Sequence, residues 1–252
     1  MDIAGMIAEN LRRNAALRVD YDPVSGLGAC GRRVEVTVPW EQDKVWLPES
    51  MPADPAYALL ADQVGYRKLR HKHDFEYWCA TCVRIRHKLT GRRVPFVLNA
   101  PQRRLTAQLE ERRLAGVPLR LIMLKARQWG GSTLVQMYFA WIQILHRTNW
   151  HSLVCAHVQS TAAVIRRMYA RMLDDYPPEL WPEDTPPKFM AVAGASNSRE
   201  IAGRGCCVTV ASSYSQEAAR GLDCSMVHLS EVAFWKDSDT MAPADFIRAV
   251  SS

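Results

Sequence analysis

An α/β architecture, with a mostly parallel sheet flanked by helices behind a small helical lead-in, follows from three features of the sequence. From residue 91 onward, short and nearly continuous apolar runs alternate with helical stretches, as in a sheet covered on both faces. One apolar run, at 119–124, enters a turn containing Gly130 and Gly131 and then a long apolar segment. Another ends on Ser230 and Glu231. Polar residues at the carboxyl ends of such strands are where a parallel sheet gathers its chemistry.

Residues 4–17 form a short helical pattern, with Ile3, Met6, Ile7 and Leu11 near one face. The arm from 19 to 55 is broken by prolines and glycines, with one strand expected at 34–38. Helices are expected at 56–69 and 74–89, the second from Phe75, Trp78, Cys79, Cys82 and Ile85 at helical spacing. The region 1–90 is therefore read as an irregular and helical N-terminal part, and 91–252 as the core. In the core, 94–98 is a short apolar segment and 101–114 a helix with proline in its first turn. Next come a strand at 119–124, a helix at 132–146, a strand at 150–157 and a helix at 160–173 capped by Ser160. Five prolines between 177 and 188 mark a surface connection, followed by strands at 206–212 and 225–230.

With 252 residues the chain is long enough for a full hydrophobic core, and its formal charge is +6, from 32 Lys and Arg against 26 Asp and Glu. That excess suits an anionic partner without requiring one. Much of it lies in Arg67–His73 and Arg84–Arg93, a cluster able to contact a nucleic-acid backbone or to remain a solvated helix face. The seven cysteines lack the spacing of a disulfide or zinc framework. Cys79 and Cys82 make a half-site that would need one of His71, His73 or His87 to bind zinc; buried reduced thiols are the simpler reading. No signal peptide opens the chain, and no apolar run is long enough to cross a bilayer.

The segment 121–133 has the layout of a phosphate-binding loop. An apolar strand ends, backbone N–H groups bend around an anion, and Ser132 or Thr133 is left to approach a magnesium ion. The loop deviates from G-x-x-x-x-G-K-[ST]: Gly130 and Ser132 fit, but Lys125 stands at the first glycine and Gly131 at the lysine. The basic group is then either Lys125 or Arg127. A tight strand-to-helix connection with no function is the competing reading.

About a hundred residues on, Glu231 closes an apolar strand, where a carboxylate can orient and activate a water. Ser230 precedes it and can hydrogen-bond a magnesium-bound water without neutralising the metal, with Asp223 as a further acid nearby. The amide of Gln102 can pair with both donor and acceptor on an adenine edge, with Pro95 or Phe96 against the ring. Arg204 and Arg220 lie beside glycines, as in adaptable loops that reach a phosphate.

Together these segments resemble the ATPase half of the large terminase subunit of tailed bacteriophages and prophages, the motor that packages DNA into a capsid. The resemblance covers roughly residues 74–240. It rests on 96–102 as an adenine motif, 125–133 as a deviant Walker A loop, Arg220-Gly221 ahead of the acidic strand, and 227–234 as a Walker B region. It implies a P-loop NTPase core of the RecA/ASCE-like type, with ATP and Mg2+ as cofactors. Gln102, Ala126, Gln128, Trp129, Gly130, Gly131, Ser132 and Thr133 would bind nucleotide, and Ser132 and Ser230 the metal. Glu231, Lys125 and Arg127 would be catalytic, with Arg204 and Arg220 as arginine sensors. Lys125 is the family-style basic residue, and Arg127 matches an arginine that many members carry in the loop; Ser230 departs from their usual aspartate. The implied partners are double-stranded DNA, a portal protein, a small terminase subunit and further copies in a ring on the portal. The implied location is the host cytoplasm, with transient docking on the procapsid and no membrane. Full-length members continue into a nuclease domain, which the residues after Glu231 are too few to build, so nuclease activity is not expected. Two other readings stand beside this one: a DNA-binding or assembly module with a vestigial nucleotide site, and a helicase-like P-loop ATPase.

Overall fold

The computed structural model describes residues 20–38, 40, 44–87, 90–124, 129–185, 187–213, 223–237 and 242–251, with Gly5, Ala8 and Glu9 besides. The expected helix at 4–17 lies largely outside them. In chain order the strands are β1 (Arg33–Val36), β2 (Val45–Pro48), β3 (Arg84–Arg86), β4 (Arg93–Pro95), β5 (Ser152–Ala156), β6 (Phe189–Val192), β7 (Ala195–Ile201), β8 (Cys206–Ser212) and β9 (Met226–Leu229). The helices are α1 (Gln63–His73), α2 (Phe75–Cys82), α3 (Ala100–Leu114), α4 (Gly131–Trp141), α5 (Gln159–Met172) and α6 (Pro243–Ser251). Single 3-10 turns occupy Pro55–Leu59, Pro178–Leu180 and Val232–Phe234, and α4 widens into a π turn over Ile142–His146.

A five-stranded sheet in the order β6-β7-β8-β5-β9 organises the molecule. β5 pairs in parallel with β8 and with β9, while β6 and β7 form an antiparallel hairpin against β8. Every residue of β5 is buried, as expected of a strand covered on both faces. Val154 and Ala156 join the main core with Leu134, Met137 and Trp141 of α4 and Ile165, Tyr169 and Met172 of α5. Leu153 and Cys155 point the other way, toward Trp235 and Phe246. The period-two alternation of side chains along β5 thus assigns one layer to each face. The result is an α/β fold whose central, mostly parallel sheet is flanked by helices.

The main core also takes in the lead-in. Phe75, Trp78, Cys79 and Cys82 of α2 pack with Tyr138 and Trp141 of α4, and the Trp141 indole N–H donates to the His71 carbonyl at 2.7 Å. A separate small core of Val38, Val45, Leu47, Met51, Tyr66 and Leu69 lies between the β1–β2 hairpin and α1. The turn between α1 and α2 is made by Asp74. Its carboxylate accepts both terminal nitrogens of Arg33, at 2.8 and 3.0 Å, and caps α2 at the Tyr77 N–H. Nearby, Cys82 and His71 touch through sulfur and ring nitrogen. Burial pushes the Cys82 thiol up to about 12 and drives His71 down to about 3. That is a protonated thiol beside a neutral imidazole, and no group of three His, Cys, Asp or Glu among the described residues is arranged to hold a metal ion. No helix among them is long and apolar enough to cross a membrane.

Three expectations are corrected, and one element was not foreseen. The helix expected over 74–89 ends at Cys82, because the chain turns into the β3–β4 hairpin, whose register pairs Ile85 with Val94. Ser160 does not cap α5; the helix starts at Gln159 after an extended Val158, with no side-chain cap. The β6–β7 hairpin was not foreseen, because Ser196, Asn197, Ser198, Arg199 and Glu200 carry no apolar period. The largest change concerns 119–124, which is not a strand: Leu121 is 52 % exposed, and Ile122 and Leu124 are fully exposed. Of this segment, only Met123 packs against the main core.

Candidate nucleotide site

The amino end of α4 meets the carboxyl end of β9. Ser132, in the first turn of α4, has its hydroxyl 3.3 Å from that of Ser230, a contact between residues 98 apart in sequence. Ser230 is only 6 % exposed and its backbone is committed. Its N–H donates to Cys155, extending the ladder with β5, and its carbonyl accepts the Trp235 indole N–H. Only the hydroxyl is left to face the helix. The first-turn N–H groups of a helix have no intrahelical acceptors and carry the positive end of its dipole. Gly130 supplies no side-chain cap for them. Two hydroxyls at the positive end of a helix make a neutral oxygen pair beside an anion-attracting surface.

Both loop glycines are required by packing. Gly130 is in the left-handed region at φ 84°, and a Cβ there would lie 2.6 Å from Gln102 Nε2. At Gly131 a Cβ would meet the Trp129 ring at 2.5 Å. A lysine at 131, where the common loop carries one, would therefore collide with this indole at its first carbon.

Gln102 and Asn99 hold the loop from α3. Asn99 Oδ1 accepts the Gln102 N–H and Gln102 Oε1 accepts the Asn99 N–H, each at 3.0 Å, a reciprocal capping box at the start of α3. The remaining amide hydrogens point to the loop: Gln102 Nε2 donates to the Gly130 carbonyl and Asn99 Nδ2 to the Trp129 carbonyl, both at 3.0 Å. Gln102 is buried, and its amide is spent on the chain itself in this arrangement. Asn99 was missed in the sequence; the signal for it was the N-x-x-Q spacing ahead of the 101–114 helix.

Glu231 follows Ser230 with φ 58° and ψ 38°, a left-handed conformation uncommon for a residue with a side chain. It heads the 3-10 turn Val232–Phe234, its carbonyl accepting the Phe234 N–H, and its side chain is exposed. Phe234 returns to pack on His157, with ring centroids 5.7 Å apart, at the carboxyl end of β5. Ser213 donates to the His157 carbonyl at 2.8 Å, so the ends of β8, β5 and β9 are tied side by side. Cys155 lies behind this rim as a buried thiol pushed up to about 12, too high for a nucleophile.

The structure therefore brings together Trp129, Gly130, Gly131, Ser132 and Thr133 with Gln102 on one side and Ser230 and Glu231 on the other. Lys125, Ala126, Arg127 and Gln128 lie outside the described residues, as does Arg220. Arg204 is not brought to the site. It sits before β8, at the amino end of the parallel strands, with Nη1 on Glu183 at 2.7 Å and its other nitrogens on the carbonyls of Gln143 and Arg147. Those contacts engage all three of its guanidinium nitrogens in bracing the end of the π turn. The chain matches no protein-family model, and comparison with curated proteins finds no significant match.

Proposed function

We propose that this chain is a magnesium-dependent ATPase of the P-loop type, the ATPase part of a terminase-like DNA-packaging motor. One observation carries the reading: a serine hydroxyl in the first turn of the glycine-headed helix α4 touches the serine hydroxyl that ends β9. A phosphate loop and an acidic strand must converge in this way to share one cation, and residues so far apart in sequence meet here at the carboxyl side of the sheet. The donors fit magnesium, a hard cation that keeps several waters and accepts few protein oxygens. Ser132 would ligate the ion, and Ser230 would hold one of its waters. Bound MgATP supplies the reactive phosphoanhydride.

The chain's own residues do the rest. The α4 N–H groups and Gly130 cradle phosphate oxygens, and Gly131 keeps the backbone close. The Trp129 ring fills the place where a lysine at 131 would begin, so the positive charge must come from Lys125 or Arg127. Glu231, exposed beside Ser230, orients water. Gln102 positions the loop through Gly130, and it reads adenine only if that hydrogen bond is exchanged on binding.

The test is Glu231→Gln. Nucleotide affinity should persist while steady-state turnover falls at least about 100-fold, the lower range for loss of a general base. Unchanged turnover in a preparation free of contaminating ATPase contradicts the assignment. The assembly-module reading draws on the neutral Ser230 and the blocked lysine position; it expects duplex binding without measurable nucleotide affinity.

A further inference from the structure

The flank of the molecule between α5 and β7 carries an open cleft of about 240 Å³ lined by Ala163, Arg166, Arg167, Ala170 and Arg199. Residues 163, 166, 167 and 170 fall on one helical face, so the two alanines make a low floor with the arginines standing between them. Arg199 closes the cleft from β7. In register with Val208, it projects on the side of the sheet that α5 covers, whereas Glu200 alternates to the other side. Two guanidinium groups are steadied by the backbone: Arg166 Nη1 donates to the Val210 carbonyl at 3.5 Å, and Arg199 Nη1 to the Ser198 carbonyl at 2.7 Å. Each keeps further N–H donors for a ligand. None of the three arginines pairs with a carboxylate among the described residues, and α5 contains no Asp or Glu. Elsewhere the chain's arginines do find acids, as Arg33, Arg93, Arg113 and Arg204 show.

We propose that this cleft binds the phosphodiester backbone of a nucleic acid. Arginine forks match phosphate oxygens in pairs, which favours phosphate over a scattered surface charge. From Ala163 to Ala170 the helix rises about 10 Å, the axial length over which one strand of a duplex presents about three phosphates. An acidic protein partner would need a central apolar or aromatic anchor, and the floor here is alanine. A free phosphate would need an enclosing cradle, whereas this cleft lies open along its length. The inference stands apart from the nucleotide site and holds whether or not ATP is hydrolysed.

The test measures binding of a labelled duplex oligonucleotide by fluorescence anisotropy at salt concentrations between about 50 and about 200 mM. The proteins are the native chain, an Arg166→Gln/Arg167→Gln/Arg199→Gln variant, an Arg167→Glu variant, and an Arg104→Gln/Arg112→Gln control on the exposed face of α3. The triple variant should bind at least about 10-fold more weakly at the lowest salt, with the slope of log affinity against log salt flattened by about 2 to 3. The control should stay within about 2-fold, losing only a non-specific share of the charge. Arg167 is exposed, so Arg167→Glu tests the site without a packing loss and should weaken binding on its own. Equal binding by the triple variant and the control overturns the proposal. So does displacement of the duplex by polyglutamate at equal charge, which would indicate an acidic protein, or by tripolyphosphate at equal phosphate, which would indicate a small-anion site.

Discussion

Glu231 combines a left-handed backbone with an exposed carboxylate. A left-handed conformation costs an L-residue about 1–2 kcal/mol relative to glycine, and such strain persists where surrounding contacts enforce it. Here Ser230 is fixed on both sides, and the 3-10 turn pulls the chain back toward Trp235. Glu231→Gly should therefore leave the thermal midpoint unchanged or slightly higher while abolishing turnover, and a drop of several degrees would show that the side chain is held for packing. Gln102 is expected to behave oppositely. Gln102→Ala removes half of a capping box and the bond to Gly130, which should cost about 1–2 kcal/mol in urea unfolding; full retention of stability would mean the loop is held by other contacts. The sequence already contained Ser132, Ser230, Glu231 and the glycine pair, because strand-turn-helix and strand-acid patterns are local. It did not contain the Trp129–Gly131 contact or the second use of Gln102, since both depend on how α3 meets the loop in space.

The parallel strands β5 and β8 were legible because a strand buried on both faces reads as a continuous apolar run, and the half-buried β9 because its short apolar run ends on a polar pair. The same signal misled at 119–124, where an equally apolar run lies exposed, since periodicity reports what could pair and not whether a partner is at hand. Among the described residues β9 forms one edge of the sheet, with no strand beyond it. Apolar chain left in the open is a docking and aggregation hazard, as is an unpaired strand edge. Ile122→Lys with Leu124→Lys should change unfolding free energy by no more than about 0.5 kcal/mol, as for exposed positions, and should reduce self-association in sedimentation. A loss of several kcal/mol would place the segment in a buried strand after all. The β6–β7 hairpin escaped the sequence for the opposite reason: β7, its inner strand, is largely polar and is held by pairing with β8, with Ser198 and Thr209 hydroxyls meeting at 2.9 Å.

Among the described residues, buried charge is concentrated where the N-terminal arm meets α1 and α2, at Arg70, Asp74 and Glu76. Glu76 is almost fully buried and accepts the Cys30 N–H, while Arg103 stacks on Tyr21 and donates to the Gly28 carbonyl. Burial, with Asp74 alongside, pushes Glu76 up to about 7 against the pull of Arg33. An acid raised above its unfolded value lends stability that is complete below about 4.5 and lost as pH rises through about 7. Glu76→Gln keeps the acceptor for Cys30 and removes the ionisation, so its stability advantage over the native chain should grow from about pH 5 to about pH 8 in thermal melts. A constant difference across that range would mean that Glu76 is already solvated.

The central claim is that α4, through Ser132, shares a magnesium-linked anion with the end of β9. Calorimetric titration of the chain with ATP, with and without magnesium, reaches that claim most directly when repeated on Ser132→Ala. The account predicts saturable binding that tightens with magnesium in the native chain, and loss of the magnesium enhancement in the variant. Identical titrations for the two proteins, or no binding heat from the native chain with magnesium present, would contradict it.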